Sequence, residues 1–352
     1  MRVFGGAILL GILLDAFAGR AQGTPADQAP GTNAETAPAI SLADAKAQAA
    51  KGRLDQALTE LNELTRAEPE EAGVERLRGL ILYQKELLPE AEAAFTKAVT
   101  QDAQDRESME MLGITLYRLG RPVEAIPLLE KADAAVSGAN AEPKYVLGLC
   151  YTDAKRYDDA RRAFAAQFGF APDSAEAYLV AARLFLRREF ADEAAIFAHK
   201  AVELNPSLPE AHQLLGEIAL AKADLPLAVK ELEAEQKLNP LDGPMYDRLG
   251  DAYVRNGQYE EARVALNKAV LLEPSATGPY ILLGEALIKL GEPIQALHYL
   301  DRAASMDPGN YITHNALGQA YRALGQMADA NREYKLAVEI QHKNDPKPAQ
   351  AR

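Results

Sequence analysis

The stretch Gly243 to Ala276, GPMYDRLGDAYVRNGQYEEARVALNKAVLLEPSA, holds two runs of apolar positions at helical spacing. Tyr246, Leu249, Gly250 and Tyr253 fall at i, i+3, i+4 and i+7, one face of a helix, and Ala262, Ala265, Leu266 and Ala269 repeat the spacing. Between the runs, Asn256-Gly257 is a turn signal because both residues tolerate positive φ. Pro274 ends the second run, since it lacks the N–H that another turn requires. The pattern predicts a helical hairpin with small residues where its two helices touch.

Moved along the chain in steps of 34, the same slots recur. The glycine of the first helix returns at Gly79, Gly113, Gly148, Gly216, Gly250, Gly284 and Gly318, with Ala45 and Ala182 in its place twice. One step is 35, and its extra residue falls in the loop Ser137-Gly138-Ala139-Asn140. The second helix opens at Ala57, Ala91, Ala125, Ala160, Ala194, Ala228, Ala262, Ala296 and Ala330. Four residues on stand Leu61, Phe95, Leu129, Phe164, Leu232, Leu266, Leu300 and Tyr334, with Ala198 the exception. Prolines close the repeat at Pro69, Pro172, Pro206, Pro240, Pro274 and Pro308. A glycine inside a helix costs about 1 kcal/mol against alanine. Seven in register therefore imply close approach of a partner helix.

These slots resemble the tetratricopeptide repeat, whose 34-residue repeat carries an aromatic, Leu-Gly, Tyr, then Ala, an aromatic or Leu, and a final Pro. The opening aromatic is present at Tyr178, Tyr246 and Tyr280 and replaced at His212 and His314. The resemblance implies an all-α fold, an α-solenoid winding as a right-handed superhelix of antiparallel hairpins, with the first helices lining a concave groove. Nine repeats are expected at 38–71, 72–105, 106–140, 141–174, 175–208, 209–242, 243–276, 277–310 and 311–344, followed by a disordered tail, 345–352. The first departs most from the pattern and reads as a cap. The last has no polar helix after it, so Tyr334, Ala337 and Ile340 are expected to leave an apolar side open, and a homodimer through this C-terminal repeat follows.

Upstream of the repeats, residues 1–21 show an early Arg2, an apolar run from Val3 to Leu14 and small residues at Ala16, Ala18 and Ala21. That is the layout of a secretory signal peptide, with cleavage after Ala18 or Ala21. The run is shorter than the roughly 20 residues of a bilayer span, and Asp15 interrupts it. Residues 22–37 are rich in Ala, Pro, Thr and Gly and predict a flexible linker. An exported protein, periplasmic or secreted, is expected, without a stable membrane span after cleavage.

The net charge of −13 excludes the basic surface that nucleic acid and anionic lipid require. The single cysteine, Cys150, makes no internal disulfide, and the five histidines are too scattered to present two ligands on one helix face. No phosphate loop or nucleophile signature is present, so no catalysis, no metal and no cofactor are expected. Carry-over of the family's groove slots gives Leu80, Tyr83, Ile114, Tyr117, Tyr145 and Leu149 in repeats two to four, an apolar half. Repeats six to eight give Gln213, Glu217, Asp247, Asp251, Glu285 and Lys289, an acidic half. The Lys and Asn clamp that some family members use for a carboxylate is missing from Arg76, Leu80, Glu110 and Ile114. The expected partner is a protein or extended peptide with hydrophobic anchors and a basic segment. The expected function is a non-catalytic scaffold or adaptor in a bacterial cell envelope; an accessory subunit of a polysaccharide synthesis or modification complex is the alternative, its groove tyrosines stacking on sugars.

Overall fold

The structure, a computed structural model, describes residues 40–66, 71–133 and 142–344. The expected signal peptide, the linker, Pro69, the 137–140 loop and the 345–352 tail lie outside these residues. Among the described residues every regular element is an α-helix, and the helices fall into two compact units, 1–169 and 170–352. The first holds α1 (Leu42–Ala50), α2 (Leu54–Leu64), α3 (Val74–Gln84), α4 (Leu88–Gln101), α5 (Arg106–Arg118), α6 (Pro122–Asp133), α7 (Glu142–Asp153) and α8 (Tyr157–Phe168). The second holds α9 (Ala175–Arg187), α10 (Ala191–Leu204), α11 (Ala211–Ala221), α12 (Leu225–Leu238), α13 (Gly243–Arg255), α14 (Tyr259–Leu272), α15 (Thr277–Lys289), α16 (Pro293–Met306), α17 (Tyr311–Ala323) and α18 (Met327–Asn344).

Within each unit a helix packs on its hairpin partner, and each second helix packs on the first helix of the next hairpin. First helices also touch one another in sequence, α3 to α5 to α7 in one unit and α9 to α11 to α13 to α15 to α17 in the other. Each unit thus has a continuous row of first helices. This is the α-solenoid that the period predicts.

The seven register glycines have the steric role expected of them. A Cβ built on Gly79 would lie 2.6 Å from the Phe95 ring, one on Gly148 2.3 Å from Phe164, and one on Gly318 2.4 Å from Tyr334. Gly113, Gly216, Gly250 and Gly284 meet Leu129, Leu232, Leu266 and Leu300 in the same way. The large residue of each second helix fills the space above a bare Cα of the first.

The turn inside every hairpin has one residue in the left-handed region, at Gly52, Glu86, Gly120, Lys155, Glu189, Ala223, Gly257, Gly291 and Gly325. Five of these nine are glycine, which adopts that conformation without a Cβ penalty. Some helix starts are fixed by side chains accepting from the free N–H groups of the first turn. Ser41 and Asp44 form a capping box, and Asp105, Ser174, Asp242 and Asn310 cap α5, α9, α13 and α17. α11, like α3 and α15, has no side-chain cap at its own N-cap, and Glu210 precedes it at φ 65. The wholly buried Glu235, from the end of α12, instead accepts from the backbone N–H groups of Glu210 (3.0 Å) and Gln213 (3.3 Å).

The closing prolines are tied to the opening aromatics. The hydroxyls of Tyr246 and Tyr280 donate to the carbonyls of Pro240 (3.2 Å) and Pro274 (3.3 Å). His314 fills the slot in the last hairpin by placing Nε2 3.2 Å from the Pro308 carbonyl oxygen. In this hairpin the histidine keeps the contact to the closing proline that the two tyrosines make in theirs.

The terminal hairpins differ from each other. On α1 the buried positions are Leu42, Ala45 and Ala49, while Ala43, Asp44, Lys46 and Ala47 face outward. On α18 the structure corrects the expected open side: Ala337 and Ile340 are buried and Tyr334 packs over Gly318. The large apolar residues left outward are Met327, Leu336 and Val338, because α18 turns its Ala337 stripe toward α17.

Candidate functional site: the rows of first helices

In the first unit the expected apolar groove is largely consumed by packing. Tyr83 and Ile114 are 2% and 4% exposed, and Leu80 is buried beside them. Tyr83 lies with its ring 4.8 Å from the guanidinium of Arg118, one repeat on. Tyr145 leans into its own hairpin, its ring 5.9 Å from that of Phe164 on α8. Tyr117, Tyr145 and Leu149 keep partial exposure. Spacing alone could not separate a groove position from an inter-helix one, since neighbouring first helices approach closely enough to bury large apolar side chains.

In the second unit the polar slots do face one another along the row. Glu217 on α11 accepts from Gln213 Nε2 (3.1 Å) and lies 2.5 Å from Arg248 Nε on α13. Asp251 is 3.5 Å from Arg255. Gln213 is buried, Glu217, Asp247, Asp251 and Glu285 are half-buried, and Lys289 is exposed. Asp247 points its carboxylate at α15: a Cβ on Gly278 would lie 3.7 Å from both its oxygens. Its Oδ1 is buried without a hydrogen-bond partner among the described residues.

The protonation of this row follows from its surroundings. Burial raises the pKa of Asp247, with the Asp251 and Glu273 charges adding to it and Arg248 opposing. Burial likewise raises Glu285, with Asp251 adding and Lys289 opposing. Two carboxylates are thus held partly desolvated beside a third with too little positive charge to compensate them.

The structure also adds Arg183, Arg187 and Arg248 to the expected groove residues. A cleft of about 450 Å³ opens between α9, α11 and α13, lined among others by Arg183, Arg187, Glu210, Gln213, Glu217 and Arg248. Arg183 is 2.7 Å from Glu210. Arg183 follows Ala182 as Glu217 follows Gly216, so the period places it in the row. The row therefore runs from arginines on α9 to carboxylates on α13 and α15.

The described residues contain no group of three His, Cys, Asp or Glu side chains able to hold a metal ion, and no helix among them is long and apolar enough to cross a membrane. Cys150 is buried.

Tetratricopeptide-repeat family models match residues 42–106 and 281–347, 116–184, and 250–291. Over 234 residues the chain is 28% identical to Superkiller complex protein 3 of Mus musculus, covering 64% of this chain and 15% of that protein. The Homo sapiens counterpart is 27% identical over 235 residues with the same coverage. The chain thus spans only a small part of the curated relatives it matches. Among solved structures it is similar to YrrB, described as a TPR protein with an unusual peptide-binding site (23% identity, 52% of this chain, 95% of that one, TM-score 0.47). It is also similar to MamA of Desulfovibrio magneticus RS-1 (22% identity, 49% and 98%, TM-score 0.47). With its hairpins, register glycines and matched family models together, the chain belongs to the tetratricopeptide repeat family, whose members mediate protein–protein interaction.

Proposed function

We propose that the protein is a non-catalytic scaffold whose second unit takes an extended segment of a partner protein along its row of first helices. The observation that carries this reading is the pair Asp247 and Glu285, half-buried and short of compensating cations. A lysine or arginine of the partner would supply the missing charge, and burying it there would set the register of the segment. Export to the cell envelope is part of the proposal and is supported by the layout of residues 1–21.

The test is capture from envelope extract by residues 22–352, beside a D247N/E285Q variant, followed by anisotropy with synthetic peptides of the captured protein. A defined partner bound through a basic segment, and lost with the amides, is expected. Equal binding by both proteins would overturn the reading. Fractionation of cells expressing the full chain, with sequencing of the new N-terminus, tests export.

A second reading, self-association, is favoured by Val338. It sits 52% exposed on α18 in the slot that Val270 fills on α14, where Val270 packs against a cluster containing Tyr280 and Ile281 of α15. The unequal ends favour a closed pair of α18 helices over a head-to-tail chain. Sedimentation of wild type and Val338→Glu at high concentration would show a dimer only in the former; two monomers would remove the idea.

A further inference from the structure

The first helices of the second unit carry three parallel lanes. One residue after the glycine slot stand Glu217, Asp251 and Glu285 on α11, α13 and α15, with Arg183 in that slot on α9. Three residues further on, about 4.5 Å along each helix axis, stand Leu186, Leu220, Val254 and Ile288. The next position holds Arg187, Arg255 and Lys289, all exposed, with Ala221 on α11. The middle lane is thus aliphatic on four successive helices, and each of its side chains is half-buried. Leu220, Val254 and Ile288 pack their inner sides on the core of the unit, and Leu186 lines the cleft between α9, α11 and α13. On α17 the slot is filled by Arg322, which ends the lane.

Single side chains bridge one first helix to the next. Arg248 on α13 meets Glu217 on α11, Arg255 Nη2 donates to the Leu220 carbonyl oxygen at 3.2 Å, and Asp247 lies against Gly278 on α15. Helices in such contact pack about 8–10 Å apart, so the aliphatic lane repeats at that interval. A ligand that sets one side chain on each rung must share the interval. A β-strand returns a side chain to the same face every second residue, about 6.6 Å, which is too short. A polyproline II chain returns one every third residue, about 9.3 Å, which fits. We infer that the row takes a polyproline II segment of a partner protein with an apolar residue at every third position, seated on Leu186, Leu220, Val254 and Ile288, its lysines or arginines turned toward Glu217, Asp251 and Glu285. The inference rests on the proposal that the row takes an extended segment, and adds its conformation and its period.

Prolines in the segment would hold it extended before it binds and so lower the ordering cost of binding. Polyproline II makes no internal hydrogen bonds, which leaves its carbonyl oxygens to be met from outside. The donors of Arg187, Arg255 and Lys289 border the lane for that purpose, and Arg255 already donates to a backbone carbonyl, that of Leu220. Four rungs enclose three intervals, about 28 Å, so a segment of about ten residues fills the lane.

The experiment measures fluorescence anisotropy of labelled peptides titrated with the full chain. One peptide repeats Leu-Lys-Pro four times; the other has the same composition, with leucine intervals alternating between two and four. The first should bind about tenfold more tightly, through the buried methylene groups that only its register delivers. Shortened versions of it should gain affinity up to about ten residues and level off beyond. The V254A/I288A variant should lose about tenfold for the first peptide and little for the second. Equal binding of both peptides, with both weakened by D247N/E285Q, would overturn the inference and leave the acidic row as a site for basic segments. Binding of the first peptide untouched by V254A/I288A would overturn it as well. No binding of either peptide up to about 1 mM, some 4 kcal/mol of affinity, would overturn both the inference and the proposal beneath it. If V254A/I288A loses helical circular dichroism, the two peptides compared on the wild type decide alone.

Discussion

A methyl group placed on Gly250 would lie 2.3 Å from Leu266 Cδ2, so the two residues contend for one volume that the leucine fills. Repeat five shows the other solution. Both slots hold alanine, Ala182 and Ala198, each wholly buried, and the space is taken up by Phe185 and Phe197, whose rings meet edge to face at 5.1 Å. Gly250→Ala should destabilise the protein by about 1–3 kcal/mol through overpacking, and Leu266→Ala by about 2–5 kcal/mol through a cavity. The double variant should cost at least about 1 kcal/mol less than the sum of the two, measured as a cycle in urea unfolding.

Ala223 is exposed and held at φ 58, where an alanine costs about 1–2 kcal/mol against its ordinary conformation. Ala223→Gly should therefore raise stability by about 0.5–1 kcal/mol, after the added entropy of the unfolded glycine is subtracted. Gly257→Ala, in the same turn slot, should lower it by a similar amount. Thermal melts of the two variants give opposite shifts if the turn conformation is as described.

Glu235 has no exposed surface and accepts two backbone N–H groups at the start of α11. Glu235→Ala should cost about 1–3 kcal/mol, the penalty for leaving buried donors without a partner. Glu235→Gln, which keeps one carbonyl oxygen, should lose less. Exchange of the Gln213 amide should accelerate in the alanine variant before that of α13 or α15.

Asp247 and Glu285 have raised pKa values because of burial and neighbouring acids. A carboxylate raised in the folded state opposes folding when ionised, so its cost appears as the pH rises through the raised value and is absent well below it. Asp247→Asn and Glu285→Gln should then raise the Tm at neutral pH, with the gain vanishing toward about pH 4. A simultaneous loss of partner binding would mark the acids as kept for recognition at the expense of stability.

The architecture was legible because a 34-residue period in glycine and alanine has a single steric cause, the contact seen between Gly250 and Leu266. The groove was less so. Leu80 and Glu217 both stand one residue after the glycine slot, yet Leu80 is buried and Glu217 faces Gln213 and Arg248, a difference the spacing does not carry. Arg183 stands in the same slot of repeat five, one residue after Ala182, outside the repeats from which the groove was expected. The role of His314 was hidden for a different reason: its partner oxygen is a backbone carbonyl, which leaves no mark in the residue pattern.

Among the described residues, packing within each unit runs mainly between the helices of a hairpin, between successive hairpins and between first helices of adjoining repeats. A load applied to either unit would therefore be carried in series, each interface bearing the full force. Elastic extension under tension would be shared by all the interfaces, whereas rupture would begin at the weakest of them. Each unit would stretch as a compliant element whose yield point is set by one local contact, and a substitution far from any partner could retune it.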